Sequence, residues 1–182
     1  FINKDKKINN ENEAISMAKD IISEEISDKA NYRKYIKDKI YKFGLISSKE
    51  IKKDEKDTYG HYADFSEPIK SIPPHRILAL NRGENEKCLK ISLNYDFDEL
   101  VEYISKKEKI SINPNKDIML DIINDSLKRL ILPSVDNEIR GELFSVAEDK
   151  SIEVFKKNLY QLLMYPPIKN ITVLGFDPGF RT

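Results

Sequence analysis

Apolar residues in this chain recur mostly at three- and four-residue steps, and only briefly at two. In "ENEAISMAKDIISEEISD", Ala14, Ile15, Ala18, Ile21, Ile22 and Ile26 fall on one helical stripe. In "NYRKYIKDKIYKFGL", Tyr32, Ile36, Ile40 and Phe43 do the same, and Gly44 supplies a stop. The short link between the two predicts an antiparallel helical hairpin. The two-residue period appears in "CLKISLNY", where Leu89, Ile91 and Leu93 alternate with Lys90, Ser92 and Asn94. That strand is expected to pair with "LISSKEI" in a small antiparallel ribbon.

Proline and glycine punctuate the rest. Glu67 and Ile72 precede prolines and should be extended. Pro74 suits the first turn of a helix through "HRILALNR", with Gly83 ending it. "DFDELVEYISKKE" and "KDIMLDIINDSLKRLIL" read as further helices, the second capped by Asn115 or Asp117. Pro133 should interrupt the chain, leaving Ser134 to cap a last helix from Val135 to Met164. Its buried face would hold Val135, Ile139, Leu143, Val146, Ala147, Phe155, Leu159 and Leu162, with Ile152 at the edge. Gly141 inside it should cost about 1 kcal/mol relative to alanine, and Pro166-Pro167 should end it.

The predicted fold class is mainly α, a multi-helix domain with a two-stranded antiparallel ribbon and one long C-terminal helix. Beyond it, Ile171, Val173, Leu174 and Phe176 form an apolar run of strand formers. A boundary is expected there, with 1–168 helical and 169–182 a linker plus the start of another domain. Without that domain "ITVLGF" should fray or borrow a sheet edge.

Charge changes this picture little. Lys+Arg and Asp+Glu are both 31, so bulk charge announces no nucleic-acid or membrane partner. Lys49, Lys52, Lys53 and Lys56 are cancelled by Glu50, Asp54, Glu55 and Asp57, which favours a solvated loop over a phosphate-binding patch. One cysteine, Cys88, excludes an intrachain disulfide and a zinc cluster and fits a reducing cytoplasm. No apolar run approaches the ~20 residues of a membrane span. The chain opens on Phe1 rather than methionine, and it reads as a piece of a longer protein.

Few residues suggest chemistry. His61 and His75 are the only histidines, and neither has a partner at metal-ligand spacing. His61 reads as a packing residue between Tyr59 and Tyr62. His75, Arg76 and Arg82 are candidate phosphate contacts, but pairing with nearby carboxylates such as Asp64 or Glu67 is the preferred reading. Arg82, Arg129 and Arg140 are expected to tie helical layers together. Tyr32, Tyr35, Tyr41, Tyr59 and Tyr62 invite base stacking, yet Tyr32 falls on the apolar stripe, so core packing is the default. Cys88 reads as a small buried apolar group. Asp177 stands alone before a Pro-Gly turn and is expected to cap it. Phe180 and Arg181 follow where an actin-like ATPase would place phosphate-contacting hydroxyls.

Three stretches, in order, are similar to a known family: "DFSEPIKSIPPHRILALNRGENE", "KRLILPSVDNEIRGEL", and "LLMYPP" followed by "VLGFDPGFRT". They resemble the Tex family of bacterial transcription accessory proteins, which carry an S1 RNA-binding domain. The resemblance implies a late part of the family's N-terminal helical region, with Asp177 on the first strand of an RNase H-like domain. It implies RNA or DNA binding through modules beyond this chain, and partners in transcription or translation. It also implies a scaffold rather than an enzyme. The alternatives are part of a metal-dependent RNase H-like nuclease, in which Asp177 would help hold Mg²⁺ with carboxylates from elsewhere, and a helical protein-interaction module. No cofactor is expected in these residues by themselves. The chain departs from the family at Pro74, where a serine is usual, which could shift the helix start.

Overall fold

Two helices open the fold. α1 (Glu11–Ser27) begins where the Asn10 Oδ1 accepts the Glu13 amide at 2.8 Å. α2 (Ala30–Phe43) follows a two-residue link and buries Tyr32, Ile36 and Ile40. The computed structural model describes residues 10–52, 58–166, 169, 171–177 and 179. Of the α1 stripe, Ile26 is buried and Ile22 is packed against the core, whereas Ile15 and Ile21 face solvent. The expected single buried stripe is therefore only half covered.

α2 stops because Gly44 leads directly into β1 (Leu45–Glu50). A Cβ on Gly44 would lie 2.5 Å from the Ile40 carbonyl oxygen and 3.0 Å from Ile69 Cδ1. The backbone there is extended, not left-handed. The stop is a close approach rather than a conformational need.

β1 is the centre of an antiparallel sheet of order β2-β1-β3, with β2 at Asp64–Pro68 and β3 at Leu89–Asn94. The expected β1–β3 pairing is present, with Ser47 opposite Ser92 and Lys49 opposite Lys90. The ribbon has three strands, not two. β2 is only five residues long, ends in Pro68 and buries no side chain fully, so its alternation is weak. Ile46, Leu89, Ile91 and Leu93 point to the core, while Lys49, Lys90, Ser92 and Asn94 point outward.

α3 (Pro74–Asn85) starts at Pro74, with Pro73 at the N-cap position and no side-chain cap. Gly83 does not end it. It lies inside the last turn, where a Cβ would come within 2.6 Å of Leu89 Cδ1 and 3.1 Å of Tyr59 Cδ1. This contact lets α3 lie flat on β3 and the loop carrying Tyr59. α4 (Phe97–Lys107) is capped by Asp96, whose Oδ1 accepts the Glu99 amide. α5 (Lys116–Asp125) has no side-chain cap of its own; Asn113 instead accepts the Asn115 amide.

Pro133 does not interrupt the chain. α5, a π-helical turn (Ser126–Ile131) and α6 (Leu132–Leu163) run together as 48 helical residues. In an unbroken α-helix the proline ring would meet the Arg129 carbonyl and remove one bond. The π turn widens the spacing, and the Leu132 amide bonds the Leu127 carbonyl five residues back. Ser134 is then no cap; its hydroxyl pairs with the Arg33 guanidinium of α2.

α1 locks onto this turn. The Ser126 hydroxyl donates to the Ser23 carbonyl at 2.9 Å, and the Ser23 hydroxyl faces the Ile122 carbonyl and Asp125. One core runs from α1 to the first half of α6, with Leu127, Ile131, Val135, Ile139 and Ala147 among its members. After Ala147 the helix leaves the body. Val146, Phe155, Leu159 and Leu162, expected to be buried, are exposed. Residues 171–177 are exposed and make no strand pairing.

Candidate functional site

The three candidate nucleic-acid contacts sit on α3. His75 and Arg82 are exposed and, seven residues apart, share a face of the helix. His75 has no hydrogen-bond or ion-pair partner among the described residues. Arg82 Nε bonds Glu86 Oε1 at 3.2 Å, within its own helix rather than between layers. Arg76 turns toward β2, pairs with the Glu67 carboxylate and lies 5.9 Å from the Phe65 ring centroid. Two of the three candidate cations are thus already matched by carboxylates.

The other arginines tie layers together as expected. Arg129 holds Asp125 through three contacts of 2.8–3.2 Å and reaches Asp20 of α1 at 2.9 Å. Arg140 of α6 pairs with Glu84 of α3, whose Oε1 also accepts the Ile91 amide at 3.4 Å. One turn earlier on α6, Asp136 takes a hydrogen bond from the Tyr95 hydroxyl, while its Oδ1 is buried without a partner. Burial pushes the Asp136 carboxyl up to about 6, against the opposing pull of Arg140 and the Tyr95 bond. Burial, then the neighbouring carboxylate, pushes Tyr95 up to about 12.

Most of the candidate tyrosines pack in or against the core. Tyr35 and Tyr103 stack at 3.5 Å, and Tyr32 meets Tyr103 edge-on at 6.2 Å. The Tyr32 hydroxyl donates to Glu108 at 2.6 Å, and burial with this bond raises its pKa. Tyr59 is buried and Tyr41 exposed. His61 is exposed and therefore not a packing residue. Cys88 is half-buried with its Sγ near the Glu86 carbonyl at 3.6 Å.

Asp177 is exposed, and its Oδ1 accepts the Gly179 amide at 3.1 Å. Gly179 has φ +68°, the left-handed conformation expected of a turn glycine. Pro178, Phe180 and Arg181 lie outside the described residues. Among the described residues no group of three His, Cys, Asp or Glu side chains is placed to hold a metal. Asp177 by itself supplies one carboxylate, fewer ligands than a Mg²⁺ ion takes.

One feature was not legible in the sequence. Lys49, Lys52, Lys87 and Lys90 are exposed and have no ion-pair partner among the described residues. Lys53 and Lys56, which belong to the same charged run, lie outside the described residues. Chain order separates Lys87 and Lys90 from that run; the β1–β3 pairing brings them together.

The sequence matches the family described as "Tex central region-like" over residues 1–155. The chain belongs to the Tex family. It is 42% identical to the Bacillus subtilis protein YdcI, covering all of this chain and 26% of the relative. It is 36% identical to human S1 RNA-binding domain-containing protein 1, over 75% of this chain and 14% of the relative. It is 30% identical to the Neisseria gonorrhoeae transcriptional accessory protein Tex, over 92% of this chain and 23% of the relative. The Tex match thus spans about a quarter or less of each relative's length. No helix among the described residues is long and apolar enough to cross a membrane.

Proposed function

We propose that this Tex-family chain is the scaffold portion of a longer nucleic-acid-binding transcription accessory protein. Residues 1–168 form its helical part, and 169–182 a linker and the first strand of an RNase H-like domain. Binding of RNA or DNA, contacts with transcription or translation machinery, and a cytoplasmic location belong to that longer protein. This chain positions; it does not catalyse.

The observation that carries the reading is the second half of α6. Residues 148–163 project from the body for about 24 Å with Ile152, Val154, Phe155, Tyr160, Leu162 and Leu163 at 60–73% exposure. Apolar residues at that density call for a partner surface. The surface is continuous with a groove of about 380 Å³ where α6 leaves the body, lined by Tyr41, Ile69, Ile72, Val146 and Lys150. The relatives are about four times as long as the matched region, which supports another part of the same polypeptide as the occupant; we take it to be a later part.

The test compares the 182-residue chain with the full-length protein in RNA and DNA binding at physiological salt. The chain by itself should bind weakly and the full-length protein tightly. Submicromolar binding by the chain, with a steep salt dependence, would overturn the scaffold reading.

A further inference from the structure

The sheet cations that have no ion-pair partner among the described residues suggest a contact of their own. Lys49 and Lys90 stand directly opposite each other on the outer face of β1 and β3. Like charges in that position repel and destabilise the pairing. Asp64 faces Lys49 from β2, yet the two form no ion pair. Beyond the strand ends, the Ile51 and Lys52 amides both bond the Cys88 carbonyl, at 2.8 and 3.3 Å. This brings Lys52 beside the turn that carries Lys87. Lys87 itself is held at φ 59°, a left-handed conformation unfavourable for a lysine. Two separate chain segments therefore deliver to one end of a sheet four cations that have no ion-pair partner among the described residues.

The same face continues along the strands as hydroxyl and amide groups. Ser47 lies opposite both Ser66 and Ser92. The Ser47 and Ser92 hydroxyls are 3.0 Å apart, and Asn94 Nδ2 donates to Ser47 Oγ at 3.0 Å. These groups suit phosphate and sugar oxygens. No aromatic ring belongs to the outward positions of the three strands, so the face offers no stacking platform for bases.

We propose that the outer face of this sheet, at the end bearing Lys49, Lys52, Lys87 and Lys90, contacts the phosphate backbone of a single-stranded RNA without reading its sequence. The proposal rests on the nucleic-acid reading above and adds a weak, salt-sensitive contact within the scaffold. An extended polyanion is the occupant that relieves the Lys49–Lys90 repulsion and matches cations spread over two segments.

Fluorescence anisotropy with a labelled RNA of about twenty nucleotides, at about 50 mM salt, reads this contact directly in the 182-residue chain. The expected result is weak binding whose log–log salt slope is about −2 to −3, as three or four phosphate contacts require. K49E/K90E should raise Kd about tenfold or more and flatten the slope by roughly 1 to 2. Lys90→Glu alone should weaken RNA binding while leaving Tm unchanged or higher, because it places opposite charges across the pair; this separates lost contact from lost fold.

No binding by the wild-type chain, or an unchanged Kd and slope in K49E/K90E, overturns the proposal. Displacement of the RNA by polyglutamate as readily as by unlabelled RNA also overturns it, in favour of an acidic polypeptide. A full-length protein that binds no nucleic acid refutes the scaffold reading. One that binds tightly while the 182-residue chain shows no contact refutes only the sheet.

Discussion

The two halves of α6 are made of similar material and meet opposite fates. In residues 132–147, Val135, Ile139 and Ala147 are fully buried, in the half of the helix that packs on α2 and α3. In residues 148–163, Ile152, Phe155 and Leu162 recur at comparable steps and none is covered. Helical spacing sets which residues share a face. It does not supply the surface that buries them. The first half is held by packing; the second rests on helix propagation from the first.

The contrast breaks most sharply under truncation. Ile139→Ala should destabilise the chain by about 3 kcal/mol, the range for a buried isoleucine cut back to a methyl. Phe155→Ala in the projecting half should change stability by no more than about 0.5 kcal/mol. Urea unfolding of both variants measures the difference, and equal losses would mean that the second half is packed.

A smaller loss is expected where α3 meets β3. Gly83→Ala places a Cβ within 2.6 Å of Leu89, so an overpacking loss of about 2 kcal/mol should follow. Gly141→Ala is its opposite. Gly141 is also a helical glycine, but its added Cβ meets nothing within 4 Å, and the exchange should stabilise the chain by about 1 kcal/mol. Thermal unfolding of the two variants should therefore shift Tm in opposite directions.

The smallest effect depends on pH. The folded Asp136 carboxyl titrates at about 6, above its ordinary value of 3.8. The folded state therefore holds this proton more tightly than the unfolded chain. The contribution is fully present below the unfolded value and is lost as pH rises through about 6. Asp136→Asn mimics the neutral acid. After discounting for partial exposure it should add about 1 kcal/mol at pH 7.5, or roughly 2–4 °C in Tm. The gain should shrink as pH falls below about 6 and approach nothing only near the unfolded value of 3.8. A gain that stays constant across that range would contradict the burial of an unpartnered Oδ1.

Much of the fold was legible because local patterns agreed with their surroundings. The α1–α2 hairpin, the β1–β3 pairing and the arginines that clamp helices all follow from spacing and charge. The departures have separate causes. Pro133 read as a break because its local rule is strong, but tertiary packing around Leu127 and Ile131 favours a π turn over a helix end. Gly83 read as a stop because sequence cannot show Leu89 pressed against its Cα. β2 has too few apolar residues to announce itself. The lysine cluster was invisible because half of it reads in sequence as part of a charge-balanced run; only strand pairing adds Lys87 and Lys90. Asp177 was readable as a turn residue, and its bond to Gly179 agrees.

The central claim is that the projecting half of α6 is a docking rail for a later part of the same protein. Amide hydrogen exchange, compared between the 182-residue chain and the full-length protein, tests it most directly. The account predicts that amides of residues 148–163 exchange rapidly in the chain and become strongly protected in the full-length protein, while those of 132–147 are protected in both. Equal protection of the second half in both proteins would contradict it.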